Sequence, residues 1–258
     1  MKQYIFRYLT LILLVWLLGV SSSVCASNLD SLWIKANDAY SISEYNNALT
    51  LYETIENSNK VSAPLYYNMG NTYFKLNKKG KAILYFEKAL KLDPSNNDIK
   101  KNLELARLRT VDKIDVIPEF ILTTLLKNVR NSLSSDMWAV TTVFLLIVTI
   151  LLLLLYKFAP SSRARKFSFA GAILVFLFFI VSFIFSLQLR NIAIESDYAI
   201  ISSVSSSVKS APNTSESSLF ILHEGTKVEV LETVGTWSKI ELSDGRQGWM
   251  EKQDYQVI

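Results

Sequence analysis

The sequence predicts a multidomain membrane protein: all-α helical repeats, then a two-helix transmembrane hairpin, then a small all-β barrel. Three observations predict it. Two segments in the first hundred residues resemble each other at a fixed interval. Two uncharged apolar runs, each about twenty residues long and thus able to cross a hydrocarbon core, lie between Trp138 and Leu189. Short alternating patterns broken by glycine turns fill the C-terminal quarter. Half of the 258 residues are apolar, and they cluster in the runs instead of spreading evenly.

Composition excludes several function classes. The net charge is +4 and no arginine-rich face with interleaved aromatics occurs, so nucleic acid is not an expected partner. Cys25 is the only cysteine, which leaves no internal disulfide and no cysteine metal cluster. His223 is the only histidine, which removes His/Cys zinc sites and Ser-His-Asp or Cys-His arrangements. No paired carboxylates stand in a pocket-like setting. No catalytic residue, metal ligand or cofactor is therefore expected, and the chain is not read as an enzyme.

Residues 1–26 read as a secretory signal: Lys2 and Arg7, the apolar run Leu9 to Val20, then small residues, with cleavage leaving Ser27 first. Lipidation at Cys25 is an alternative, although Val24 stands where a small residue is wanted. A retained anchor helix is another.

Residues 27–110 carry the repeats. Ala36, Tyr40, Ala48 and Tyr52 correspond to Gly70, Phe74, Ala82 and Phe86, each at one interval (70 − 36 = 34). Small residues let antiparallel helices approach, and the aromatics fill the gaps beside them. Pro94 ends the stretch "AILYFEKALKLDP" because its ring cannot continue the hydrogen-bond ladder. The spacing resembles the tetratricopeptide repeat, closely over Ala63 to Asn96 and more weakly over Leu29 to Ser62, which lacks the proline. A further helix after Ser95 reads as the cap. Two repeats and a cap fall short of the three such stacks need. By the resemblance, the first helix of each unit lines a concave protein-binding face carrying Trp33, Asn37, Tyr40, Tyr67, Asn71, Phe74 and Lys75. Asn37 and Asn71 are equivalent positions, suited to hydrogen-bonding a bound backbone; packing is the competing role for Tyr40 and Phe74, and solvation for the asparagines.

Residues 111–137 form an amphipathic lead-in, placed either on a membrane surface or against the repeats. The spans are 138–158 and 167–189. The loop 159–166 and its preceding Lys157 gather Arg163, Arg165 and Lys166 without an acid, so the positive-inside rule puts the loop in the cytoplasm. Both soluble regions then face the periplasm from the inner (cytoplasmic) membrane. Neither span carries a central ionisable residue, which argues for an anchor instead of a transport path.

Residues 196–258 hold the β pattern: Val228 and Val230, then Trp237, Ile240 and Leu242, with Asp244-Gly245 as a hairpin turn. "VKSAP", "LHEGT", Trp237 and Gly248-Trp249 resemble the bacterial SH3 family, which implies a small non-catalytic barrel binding peptides or cell-wall material. Trp237 and Trp249 either line its cleft or pack its interior. His223 reads as a hydrogen-bonding turn residue.

The order of modules, with "LHEGTKVEVLE" and "DGRQGWM", resembles the BatE proteins of the Bacteroides aerotolerance system. That resemblance implies membrane-bound von Willebrand A-domain proteins, another repeat protein and a cytoplasmic MoxR-type ATPase as partners, and a role in oxidative or envelope stress. The expected function is a non-catalytic membrane-anchored scaffold; the alternative is a peptidoglycan-binding envelope anchor.

Overall fold

Alanine and glycine on a helix face allow backbones to approach, and this fold depends on that. The computed structural model describes residues 28–114, 120–194 and 197–258. The segment read as a signal, with Cys25, lies outside the described residues. Helices α1 (Asn28–Ser41) and α2 (Tyr45–Asn57) make one antiparallel pair, α3 (Ala63–Lys75) and α4 (Lys79–Leu92) a second, and α5 (Asn97–Arg107) packs against α4. Ala36, Ala48, Ala82 and Ala89 are fully buried. A Cβ at Gly70 would stand 2.6 Å from the Phe86 ring, so glycine is what allows α3 to lie on α4.

The two pairs turn alike. Ser43 and Asn77, one repeat period apart, both take positive φ, 66° and 58°. The N–H groups of Glu44 and Lys78 then reach back to the carbonyls of Ala39 and Tyr73, both at 2.9 Å. This is the Schellman closure of a helix end. The inter-helix turn is thus the same in both units, although the first matches the repeat pattern more weakly.

The C-terminal strands are β1 (Tyr198–Ile201), β2 (Ser205–Lys209), β3 (Ser218–His223), β4 (Lys227–Val234), β5 (Trp237–Glu241), β6 (Gln247–Glu251) and β7 (Tyr255–Val257). They form one antiparallel sheet in the order β3-β2-β6-β5-β4-β1-β7. The expected closed SH3-like barrel is thereby corrected: β3 and β7 are edges, and the sheet is open. The physical reason lies at two weak joints. β2 meets β6 through the single pair Lys209 and Trp249. At the other, beside β7, the Asp254 carboxylate accepts from Ser203 Oγ at 2.7 Å and its carbonyl accepts from the Ser202 N–H at 2.8 Å, isolated bonds to the β1–β2 connection in place of a strand ladder.

The sheet docks on the repeats. Ile200 of β1 belongs to the same buried core as Ile83, Leu84 and Phe86 of α4. Lys91 Nζ donates to the Ile258 carbonyl at 3.0 Å. Gly225, at φ +90°, sits so close to α4 that a Cβ would meet Ile83 at 2.8 Å and Thr110 at 2.9 Å. Two repeats and a cap thus gain from the sheet the contact they lack alone.

Between the modules lie α6 (Ile121–Arg130), α7 (Ser135–Phe158) and α8 (Ser162–Ile194). α7 and α8 pack antiparallel, with Thr142 Oγ1 and Ser182 Oγ 2.9 Å apart at the buried seam. By length and composition both are apolar enough to cross a membrane. The transmembrane hairpin of the expected fold class is thereby corrected to two candidate spans. Arg163, Arg165 and Lys166 lie on the first turns of α8, not in a loop.

Gly225→Ala is expected to lower stability by about 1–3 kcal/mol, the usual cost of overpacking, and to speed hydrogen exchange along α4. Gly235, at φ +59° with nothing within 4 Å of where an added methyl would stand, is the control. Gly235→Ala carries the backbone strain alone and leaves α4 exchange unchanged.

Candidate protein-interaction site

The first helices of the repeats place the seven predicted face residues in separate local clusters, with Trp33 and Asn37 sharing Tyr52 and with Tyr67 and Asn71 sharing Asn102. Trp33 is half-buried, its ring edge-on to Tyr52 with centroids 5.8 Å apart. Asn37 Oδ1 accepts from Tyr52 Oη at 2.6 Å and from Asn68 Nδ2 at 2.9 Å. One period later, Asn71 Oδ1 accepts from Asn102 Nδ2 at 2.8 Å, and Asn102 Nδ2 also reaches Tyr67 Oη at 3.0 Å. Tyr40 stacks edge-on against Tyr45 at 5.5 Å. The Arg109 guanidinium lies 4.2 Å above the Phe74 ring. Lys75 is exposed.

The asparagines therefore form a ladder between successive first helices. Their amide oxygens are engaged within the fold, which leaves the aromatic rings and Lys75 as the surface a partner would meet. Asn68 and Asn102 were missed in the sequence, although they repeat at the same period as Asn37 and Asn71. That period also identifies α5 as occupying the place of a third unit's first helix. Burial pushes the Tyr52 phenol up to about 12, partly offset by its hydrogen bonding. Its hydroxyl is a fixed donor at any physiological pH.

In the sheet, Ser238, Ile240, Gly248 and Met250 point to the core. Strand alternation puts Trp237 and Trp249 on the opposite face. Register sets Trp237 across from Glu251 and Trp249 across from Lys239. The two tryptophans are thus diagonal neighbours on the outer face, half-buried among charged side chains, and do not fill the interior.

The seam between the modules holds charges that no local pattern revealed. Glu87 on α4 is only 5% exposed; it binds the Arg107 guanidinium from α5 and Lys227 Nζ from β4, the latter at 2.8 Å. The Asp112 carboxylate accepts from the His223 N–H at 2.7 Å and from Thr226 Oγ1 at 2.6 Å, and lies 2.8 Å from His223 Nδ1. His223 is thus a hydrogen-bonding residue at the end of β3. Glu224 lies against Gly80 in the first turn of α4, where the helix dipole favours an anion. Beside it, a cavity of about 260 Å³ is lined by Lys78, Lys81, Leu84, Ser202, Glu224 and Gln256. Among the described residues, no group of three or more His, Cys, Asp or Glu is placed to hold a metal ion.

Burial raises the Asp112 pKa, but the hydrogen bonds from Thr226 and His223 outweigh it and hold the carboxyl below its usual range. A depressed carboxyl contributes stability that is present above its unfolded value, about 3.9 for aspartate, and lost as pH falls through the folded value. Docking is expected to loosen in that acid window, read as faster exchange at the His223 amide. Asp112→Asn should loosen it at neutral pH and flatten the acid dependence.

The tetratricopeptide repeat family model matches residues 63–96, and the bacterial SH3 domain model matches residues 203–255. No curated protein matches the chain. The chain accordingly contains a tetratricopeptide repeat region and a bacterial SH3-like domain, two modules of non-catalytic, protein-interaction character.

Proposed function

We propose that this chain is a membrane-anchored scaffold that holds protein partners in the periplasm through its repeat face. The observation that carries the reading is the docking of the two interaction modules on each other. Ser135, opening α7, and Ser186, near the end of α8, exchange hydroxyl-to-carbonyl bonds at 3.2 and 3.3 Å. Both modules therefore leave the helical pair at one end. If α7 and α8 cross a membrane, the modules share one side of it. Lys157, Arg163, Arg165 and Lys166 gather at the opposite end, and the positive-inside rule assigns such a cluster to the cytoplasm. The inner membrane and a periplasmic head follow from this reading.

The binding face comprises Trp33, Asn37, Tyr40, Tyr67, Asn71, Phe74 and Lys75, with the rings supplying contact area and the asparagine ladder holding them in register. The resemblance to BatE proteins supports von Willebrand A-domain membrane proteins as the partners and an aerotolerance or envelope-stress complex as the setting. The test is co-purification from detergent. Trp33→Ala with Lys75→Glu, which spare the asparagine ladder, should cut recovery of the partners severalfold. Full recovery would remove the repeat face from the function. A reporter fused at Ile258 and found in the cytoplasm would overturn the orientation.

One observation favours a second reading, peptidoglycan binding. Trp237 and Trp249 share the outer face of the sheet with Lys239 and Glu251, and aromatic faces bordered by polar groups suit sugar rings. The full chain in detergent should then sediment with purified sacculi. Trp237→Ala with Trp249→Ala should abolish that sedimentation without altering partner recovery.

A further inference from the structure

At about 100° per residue, the ten residues of α6 divide cleanly. Ile121, Leu122, Leu125, Leu126 and Val129 occupy one side; Thr123, Thr124, Lys127, Asn128 and Arg130 occupy the other. All five apolar residues are more than half exposed, and no residue of the helix is buried. This is the sharpest apolar stripe in the chain, yet it touches no core. The repeat stack is not its partner: α6 makes no extended packing contact with α1–α5.

α6 is joined instead to the start of α7. Trp138 Nε1 donates to the Arg130 carbonyl at 2.8 Å, tying the end of α6 to the first turn of α7. The same indole lies edge-on to Phe185 of α8, with centroids 5.3 Å apart. An indole is well suited to the boundary between headgroups and acyl chains. The tie therefore sets α6 at the depth where a candidate span would leave the bilayer.

We propose that α6 lies in the membrane interface, its Ile121–Val129 stripe buried among the upper acyl carbons, and holds the docked modules against the lipid surface. The occupant is the bilayer itself. The inference rests on the reading of α7 and α8 as membrane spans. Leu122, Leu125 and Val129 enter lipid, while Thr124 and Asn128 remain in water. α6 then acts as a second attachment that fixes the height of the repeats above the membrane.

The experiment uses the full chain in a Cys25→Ser background, reconstituted into phosphatidylcholine–phosphatidylglycerol vesicles. Single spin labels are placed through Leu122→Cys, Leu125→Cys, Val129→Cys, Thr124→Cys and Asn128→Cys. Leu146→Cys and Leu177→Cys report on the spans. Accessibility to oxygen, which partitions into lipid, is compared with accessibility to a water-soluble nickel chelate. The expected result is a severalfold preference for oxygen at 122, 125 and 129, the reverse at 124 and 128, and the strongest oxygen preference at 146 and 177. Nickel access at 122, 125 and 129 with lipid-exposed spans would overturn the inference and leave the spans standing. Shielding from both probes there would mean a protein partner, and would also overturn it. Nickel access at 146 and 177 would overturn both readings.

Discussion

The structure turns on one carboxylate. Glu87 is almost completely withdrawn from water, and removing such a group from solvent costs several kcal/mol unless cations offset it. Here the two cations come from different places: Arg107 from the capping helix and Lys227 from the sheet. Neither module alone supplies both. The charge is therefore compensated in full only when α4, α5 and β4 are assembled, and this makes the docking specific where apolar contact alone would not. Around it, Asp112 gathers His223 and Thr226, and Lys91 takes the carbonyl of Ile258. Among the described residues, no buried side-chain polar atom is left without a hydrogen-bond partner.

How much of this was legible depends on sequence distance. The repeats were, because their signal is local: Gly70, Ala82 and Phe86 stand at intervals that only paired helices use. The asparagines were half legible. Their period was visible, but the ladder to Asn68 and Asn102 turns them from expected ligand contacts into internal bonds. The seam was not legible at all. Glu87 and Lys227 lie 140 residues apart, and Asp112 and His223 111, so no periodicity could pair them.

The sheet shows the same limit differently. Alternation located β4 and β5 and marked Val228, Ile240 and Leu242 as core, all of which are buried. It could not decide closure, because that depends on whether the edge strands β3 and β7 meet, and Asp254 beside β7 instead accepts from Ser203 and from Ser206 of β2. The inward or outward choice for Trp237 and Trp249 likewise needed register, which fixes them opposite Glu251 and Lys239. In the helical pair, Thr142 and Ser182 are polar residues in runs of otherwise apolar character. Their mutual bond, together with Ser182 Oγ on the Trp138 carbonyl at 3.1 Å, supplies polar adhesion between the two helices at their buried seam.

The length of α8 carries a mechanical meaning. Its 33 residues extend about 50 Å at 1.5 Å per residue, well beyond a hydrocarbon core of about 30 Å. It ends at Ile194, and β1, the strand buried against α4, begins at Tyr198. α8 also packs on α4. In the membrane-anchored reading proposed above, the part of α8 beyond the hydrocarbon is a rigid extension against the repeats, and tilting of the helical pair would be transmitted to them as leverage.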